Sequence, residues 1–516
     1  MTFLELLDGA EIRNQRGNPK GANPKIVNPK INGLEYDSRR IKPGDAFVAI
    51  RGESSDGNKF IDKAIASGAV AVVTDSADEP VREGVAWAQI SHGRKGLARL
   101  AANFYGQPAG KLAITGITGT NGKSTSAFLL EAILAAAGRK SALIGTIEYH
   151  VAGKILPAPH TTPESVDLNH IFAEAVSAGA TSAVMEVSSH ALAQHRTSGI
   201  YFDVAVFTNL TRDHLDYHHT MEEYFEAKQL LFKGDDSAPP RAAVINIDDE
   251  FGRQLANLSK GISKEIIGYG LTHGEFHAAK LEITPQGTKF DLVTPVRTIP
   301  ISSPLIGRVN VYNILAAATA AHAGGCKPEE IAHGIESLAR VPGRFERVDC
   351  GQPFTVVVDY AHTDDALRNL TGLAREFVTR AGPNGRVITV FGCGGDRDRA
   401  KRPLMGEAAG RGSDFVVLTS DNPRSEDPLA IINDAMVGLQ RAGAKYKVEP
   451  DRKAAIDIAI QEAAPGDIVL LAGKGHEKNQ VLRAGSIAFD DVEVARQALR
   501  QAGYDCATAR AAGTNQ

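Results

Sequence analysis

The chain has 516 residues, is 43% hydrophobic and 23% charged, and carries a formal net charge of −4. That length allows about three domains, each with its own core. The near-neutral balance offers no bulk-charge attraction to nucleic acid or to an anionic membrane. Cys326, Cys350, Cys393 and Cys506 are scattered without CxxC spacing. They read as reduced cytosolic thiols rather than a disulfide frame or a zinc site. The acidic start, Met1-Thr-Phe-Leu-Glu-Leu-Leu-Asp8, lacks the apolar core of a signal peptide. No uncharged apolar run reaches the ~18 residues of a membrane span. The expectation is a soluble, cytoplasmic protein with neither a nucleic-acid partner nor a membrane span.

The predicted elements form three α/β units. The first covers residues 1–108. Three Asn-Pro-Lys repeats, at Asn18, Asn23 and Asn28, oppose helix and predict an exposed loop that looks like an insertion. Strands are expected at Ala46–Ile50 and Ala69–Val73, with an amphipathic helix over Phe60–Ser67. The alternation suggests a binding module but names no ligand.

The central unit, residues 109–340, is expected to be a mostly parallel sheet of the P-loop ATPase type. Its key stretch is Ile114-Thr-Gly-Ile-Thr-Gly119-Thr-Asn-Gly122-Lys-Ser124-Thr125. The stretch leaves an apolar strand, passes three glycines and opens a helix. Such a loop turns backbone N–H groups around phosphate oxygens at a helix N-terminus. Lys123 would reach the terminal phosphates, and the Ser124 hydroxyl would ligate Mg²⁺. The spacing departs from GxxxxGK[ST], because Ile117 stands where its first glycine should be. Further strands are expected at Ser141–Gly145, Ser182–Val187, Asp203–Thr208 and Ala242–Asn246. Apolar strands alternating with helices indicate a parallel sheet covered on both faces. In such sheets ligands bind beyond the carboxyl ends of the strands, and the unit's polar clusters fall there.

The last unit, residues 341–516, is expected to be a Rossmann-like α/β domain. Its strands are read at Thr355–Asp359, Val387–Phe391, Phe415–Thr419 and Asp467–Leu471, each ending in a polar or glycine-rich turn. It has no second Lys-Ser loop. The tail beyond Tyr504 is small and polar and is expected to fray.

Several clusters carry chemistry. Glu186, at the end of an apolar strand, suits an Mg²⁺ ligand or a water organiser; its alternative is a strand-end acid capping a helix. His214 offers a second metal ligand, or is a solvated turn histidine. Lys228, within an evident helix, reads on pattern alone as a surface lysine. Asp421-Asn422-Pro423-Arg424 presents an acid, an amide and a guanidinium on a fixed turn. Arg424 could fork a carboxylate while Asp421 takes an ammonium, with Arg397 and Glu477 at neighbouring strand ends. The alternative is an Asn-Pro turn with incidental charges.

Together, Gly119-Thr-Asn-Gly-Lys-Ser124, Glu186-Val-Ser-Ser-His190, Thr208-Asn-Leu-Thr-Arg-Asp-His-Leu-Asp216, Pro342-Gly-Arg-Phe-Glu346, Asp359-Tyr-Ala-His362 and Asp421-Asn-Pro-Arg424 resemble the Mur ligases. The likeness covers nearly the whole chain in the family's order and accounts for the loop spacing. It implies an ATP- and Mg²⁺-dependent amide ligase of peptidoglycan precursor synthesis, acting through an acyl phosphate. The pattern matches members that add meso-2,6-diaminopimelate to the D-Glu of UDP-MurNAc-L-Ala-D-Glu. By the resemblance, Ser38 in the first unit belongs to the site for the UDP end. Gly119, Thr120, Asn121, Gly122, Lys123, Ser124, Thr125, Asn310, Asn313, Arg344 and Asp359 hold ATP. Ser124, Glu186, His214 and Lys228, the last as a carbamate, serve the metal. Thr161, Thr162, Ser188, Gln194 and Arg196 hold the nucleotide-sugar peptide. Arg397, Asp421, Asn422, Pro423, Arg424, Gly473 and Glu477 form the amino-acid site. The catalytic set is then Lys123, Glu186, His214 and Lys228. Arg424 separates diaminopimelate from lysine, because diaminopimelate carries an extra carboxylate that it can fork and that lysine lacks. Asp364 departs from the family's His-Thr-Pro, which bears on the turn near Asp359. A monomer is expected.

The alternatives are a lysine-adding Mur ligase, a folylpolyglutamate synthetase-like ligase, and a nucleotide-binding scaffold without catalysis. The Asp421–Arg424 site and the first unit argue against the second. Intact Lys123, Ser124, Glu186 and Lys228 argue against the third.

Overall fold

A computed structural model describes residues 1–16, 27–52, 55–77, 82–381 and 384–506. The first two Asn-Pro-Lys repeats lie outside the described residues. The third is built in rather than looped out: Pro29 O accepts from Phe3 N at 3.0 Å, and Asn28 Oδ1 accepts from Leu4 N at 2.9 Å.

The strands fall into three main sheets. The first has five strands, in the order Ile12–Arg16, Ala86–Ile90, Ala71–Thr74, Ala46–Ala49, Leu34–Glu35. Only Ile12–Arg16 runs antiparallel. The two strands expected here are present, with ends shifted by a residue or two.

The second sheet has eleven strands. Its middle is parallel, in the order Glu265–Gly270, Ala242–Asn246, Val204–Phe207, Ala113–Thr118, Ser182–Glu186, Ser141–Ile144. Side chains alternate between two covered faces, so these strands are apolar throughout. Ile117, Val184 and Val206 meet Leu129, Leu130 and Ile133 of helix Lys123–Ala136 and Ile314 of helix Arg308–Ala323. On the other face Ile114, Met185 and Phe207 meet Leu168 and Phe172 of helix Ser165–Ser177 and Tyr224 and Phe232 of helix Met221–Lys233. Each such side chain contributes about 1.5–3 kcal/mol by leaving water.

Both edges carry strands that were not expected. Phe276–Thr284, Gly287–Val293 and Thr298–Ser303 extend one edge, ending in an antiparallel meander. The hairpin Glu148–Val151 and Lys154–Pro157 extends the other. Burial alternates along most of them, as in Thr298–Ser303, because one face is open to water, while Lys154–Pro157 is largely exposed.

The third sheet has six strands: Glu346–Val348, Thr355–Asp359, Ile468–Ala472, Val387–Phe391, Phe415–Leu418, Tyr446–Val448. All but the first run parallel. Thr355–Asp359 and Val387–Phe391 coincide with the expected strands. Helix Asp364–Ala381 opens where the Asp364 departure stands. The Thr363 hydroxyl accepts from Ala366 N at 3.1 Å, so the turn is capped without the proline.

One expectation is corrected here. Cys350 and Cys506 form a disulfide, while Cys326 and Cys393 are free and buried. Spacing in sequence could not reveal a pair 156 residues apart. Of the tail expected to fray, residues 507–516 lie outside the described residues; before them Tyr504 packs edge-on against Phe354, and Cys506 is bonded to Cys350. No helix among the described residues is long and apolar enough to cross a membrane.

One ion pair sits wholly inside the third unit. Arg452 donates through Nε and an Nη to the two carboxylate oxygens of Asp491 at 2.8 and 2.6 Å, and the same Nη also donates to Ala472 O at 3.0 Å. Both side chains have no exposed surface. Removing one partner strands a charge in a dry core, which costs about 3–5 kcal/mol. Asp491→Ala is therefore expected to lower the unfolding free energy of this unit by that amount, and paired replacement by Arg452→Met with Asp491→Leu to cost much less. Denaturant titration checks both; a loss below about 1 kcal/mol for Asp491→Ala would contradict the burial argument.

Candidate active site between the central and C-terminal sheets

Strand Ala113–Thr118 ends between Ser182–Glu186 and Val204–Phe207. Residues 119–122 turn, and helix Lys123–Ala136 follows. Gly122 lies in the left-handed region at φ 89, and a Cβ there would stand 2.3 Å from Asn313 Oδ1; only glycine fits. The segment after Phe207 buttresses the turn. Asn209 accepts from Thr120 N and Asn121 N at 2.9 Å each, and the Thr208 hydroxyl donates to Asn121 O at 2.7 Å. Lys123 Nζ donates to Gly119 O and Thr120 O, both at 2.9 Å. Burial pushes its amine below the usual lysine range.

Glu186 is 1% exposed. Its carboxylate accepts from Thr146 N at 2.7 Å and the Thr146 hydroxyl at 3.0 Å. Gly145 makes room: a Cβ there would meet Glu186 Oε1 at 2.5 Å. His214 is held to about 3 by burial, so its imidazole is neutral and able to ligate. A hydroxyl, a carboxylate and a neutral imidazole thus line one cavity as Ser124, Glu186 and His214. The oxygen donors among them suit a hard cation bound beside phosphate.

Lys228 is not the surface residue that pattern alone suggested. It is 1% exposed, and its Nζ donates to Gly119 O at 2.9 Å from a position 4.5 Å from the Tyr224 ring centre. Burial, with the Lys123 charge second, holds its amine well below the lysine range. It backs the phosphate loop rather than lining the cavity.

The cavity measures about 790 Å³ and joins both sheets. Thr120 to Thr125, Asn310, Asn313, Arg344 and Asp359 line it. One Nη of Arg344 donates to Ser124 Oγ at 3.2 Å, across the junction, and the guanidinium covers the Tyr360 ring at 4.6 Å. Asp359 accepts from Phe345 N and Ala361 N at 2.7 and 2.8 Å, and burial raises its carboxyl. Thr161, Thr162, Ser188, Gln194 and Arg196 form another wall. Arg196 fixes that wall through Gln194 Oε1 at 2.7 Å and Thr162 O at 2.9 Å.

Arg397, Asp421, Asn422, Arg424, Gly473 and Glu477 converge on the C-terminal side. Asn422 Nδ2 donates to Glu477 Oε2 at 2.8 Å. Arg424 donates to Gly395 O at 2.7 Å; burial and then Arg397 push its guanidinium below the usual range. Two neighbouring guanidinium groups with spare donors make a receptor for carboxylate. Gly119 and Pro423 shape their turns without lining the cavity. Ser38 does not reach it; it is buried in the first unit, whose Tyr36 hydroxyl donates to Asp167 at 2.6 Å.

Sequence reasoning passed over Thr146, Asp213, Lys401 and Lys474. Thr146 and Asp213 were hidden because their partners come from other strands or sheets. Lys474 is fully buried and donates to Asn422 Oδ1 at 3.1 Å and Glu477 Oε2 at 2.9 Å. The glycines on either side of it were the available signal.

Comparison with known proteins agrees with this layout. Three family models match: "Mur ligase family, catalytic domain" over residues 30–105, "Mur ligase middle domain" over 117–321, and "Mur ligase, glutamate ligase domain" over 343–475. The UDP-N-acetylmuramoyl-L-alanyl-D-glutamate–2,6-diaminopimelate ligase of Solibacter usitatus is 56% identical over 92% of this chain and 94% of its own. The ligase of the same name from Geobacillus thermodenitrificans is 46% identical over 97% and 99%. A solved structure of such a ligase, 34% identical, superposes with a TM-score of 0.62 over 92% of this chain and 96% of its own. The phosphate loop, the two α/β sheets that share its cavity and identity along nearly the whole length lead to one conclusion: the chain belongs to the Mur ligase family.

Proposed function

We propose that this chain is the ATP-dependent ligase that joins meso-2,6-diaminopimelate to the D-Glu of UDP-MurNAc-L-Ala-D-Glu, forming ADP and phosphate, in peptidoglycan precursor synthesis. The observation that carries the reading is a single cavity with a phosphate loop on one side and the Arg397–Arg424 pair with Asp421, Asn422 and Glu477 on the other. The identity to diaminopimelate ligases supports it. We divide the chain at 1–108, 109–340 and 341–516, for the UDP end, ATP and the amino acid respectively. Both nucleotide substrates are cytoplasmic chemistry, so we place the enzyme there, as a monomer.

The geometry suggests how the chain performs the reaction. A carboxylate is a poor electrophile, and phosphorylation by ATP turns one of its oxygens into a leaving group. Lys123 and the loop N–H groups hold the phosphates, with Asn310 and Asn313 on the adenine side. Arg344 reaches the same phosphates from the C-terminal sheet, and Asp359 holds the turn that carries it. Phosphoryl transfer needs mainly this positioning and charge neutralisation. Ser124, Glu186 and His214 would hold Mg²⁺, which when bound supplies further neutralisation of phosphate charge. The wall at Thr161, Thr162, Ser188, Gln194 and Arg196 orients the peptide carboxylate. Arg397 and Arg424 fork the distal carboxylate of diaminopimelate, and Asp421, Asn422 and Glu477 take its ammonium. The opposite amine then attacks the acyl phosphate, phosphate leaves, and an amide remains. Cationic groups around the tetrahedral intermediate stabilise its oxyanion. A carbamate on Lys228 requires a neutral amine, which burial supports.

Three outcomes are expected. Lys123→Ala lowers product formation from the three substrates by about 100-fold or more; near wild-type turnover would sink the assignment. Arg424→Ala raises the KM for diaminopimelate about 10- to 100-fold, the loss of one charge-assisted fork, with a smaller change in kcat; an unchanged KM removes Arg424 from the site. The Lys228 amine is depressed, so acidification through its folded pKa protonates it. A ¹³C-bicarbonate-derived carbamate signal and the activity should then fall together as pH drops. A Lys228→Met protein that kept the signal would refute that assignment.

A further inference from the structure

Two charge pairs cross the junction between the central and C-terminal sheets, and no role assigned above uses them. Arg212 and Asp213 follow strand Val204–Phe207, while Asp398 and Lys401 lead into helix Lys401–Gly412. An Nη of Arg212 lies 3.3 Å from Asp398 Oδ2. Lys401 Nζ lies 3.1 Å from Asp213 Oδ1, with both side chains at most 10% exposed. His362 Nε2, also from the C-terminal side, stands 3.7 Å from Asp213 Oδ2. Asp398 uses its other oxygen to accept from Ala400 N at 2.9 Å, which fixes the turn.

The order of signs matters. The central side presents plus then minus, and the C-terminal side presents minus then plus. Docking shifted by one pair would set Arg212 against Lys401 or Asp213 against Asp398, and like charges in a partly dry interface are costly. A partly exposed pair such as Arg212–Asp398 adds little affinity alone. Two reciprocal pairs fix a single register.

Each pair adjoins a residue of the reaction site. Asp213 precedes His214, and His214 Nε2 lies 3.5 Å from Asp213 Oδ2. Asp398 follows Arg397. We propose that Arg212–Asp398 and Asp213–Lys401 form an interdomain latch, made of positioning residues, that completes the phosphate side at His214 and the amino-acid side at Arg397 in one docked register. The consequence for kinetics rests on the ligase reading above; the docking itself does not. Because such coupling is reciprocal, weakening the latch should weaken the use of ATP and of diaminopimelate together.

The test uses the full-length protein with spectroscopic labels at exposed Leu258 and Leu429, one on each side of the junction. Arg212→Asp and Asp398→Arg are compared singly and combined, and Lys401→Met serves as a near-isosteric neutral variant. Each single change is expected to broaden and lengthen the inter-label distance. Each should also raise the KM for both ATP and diaminopimelate about tenfold. The combined charge swap should restore most of both. Single variants that keep wild-type distances overturn the latch whatever their kinetics. So does a double variant whose defect is the product of the single defects. A wild-type protein whose ATP turnover ignores diaminopimelate would instead refute the ligase reading and leave the distance result to decide the latch.

Discussion

Lys123 and Lys228 both donate to the carbonyl oxygen of Gly119, each at 2.9 Å. Two fully charged ammonium groups on one oxygen in a dry pocket would repel strongly, and burial already drives both amines below the lysine range. The loop is thereby strung between the helix it opens and a helix from the far side of the sheet. The loop's own carbonyls hold both amines, so its turn must be braced from outside. Everything around it follows from that need. Thr208 and Asn209 pin the turn, Asn313 leaves space only for glycine at 122, and Arg344 arrives from another sheet to touch Ser124.

The central parallel strands were legible because burial on both faces leaves apolar runs, as in Val387–Phe391, whereas the parallel strands Glu265–Gly270, Ala86–Ile90, Leu34–Glu35 and Tyr446–Val448 were not read. The antiparallel strands between Phe276 and Ser303 escaped, because their residues alternate between core and water and no run forms. The phosphate loop and the Asp421–Arg424 turn were legible because their residues act as contiguous groups. Lys228 was not, on pattern alone: its acceptor is 109 positions away, and a helical lysine looks the same whether its amine meets water or a carbonyl. Thr146 was invisible for a similar reason, since its distinction lies in the Glu186 carboxylate and the Thr161 hydroxyl that the fold brings beside it. The Cys350–Cys506 pair shows the same limit. Contacts made by topology are written across the sequence rather than along it.

The junction between the sheets joins a polar part to an apolar one, where Ile283 and Ile306 of the central unit pack into the C-terminal core. Ser124–Arg344, Asn121–Asp365, Asp213–Lys401 and Arg212–Asp398 all cross it. Such contacts are directional and replaceable by water or ligand, whereas separating Ile283 and Ile306 from the C-terminal core would expose apolar surface. Several of the same residues face the reaction cavity. The surface that holds the two sides together is therefore in part the wall of the cavity itself.

The disulfide has a mechanical meaning. Cys350 follows the edge strand Glu346–Val348, just after the chain enters the C-terminal unit, and Cys506 lies near its end. Entry and exit are pinned at one corner. The unit is thus a closed covalent ring hung from the rest of the molecule by one peptide thread at about residues 338–345. A body on a single thread can both swing and swivel, and the thread alone selects neither. The choice of orientation falls to noncovalent contacts across the junction, which include the apolar contact of Ile283 and Ile306 as well as the polar pairs.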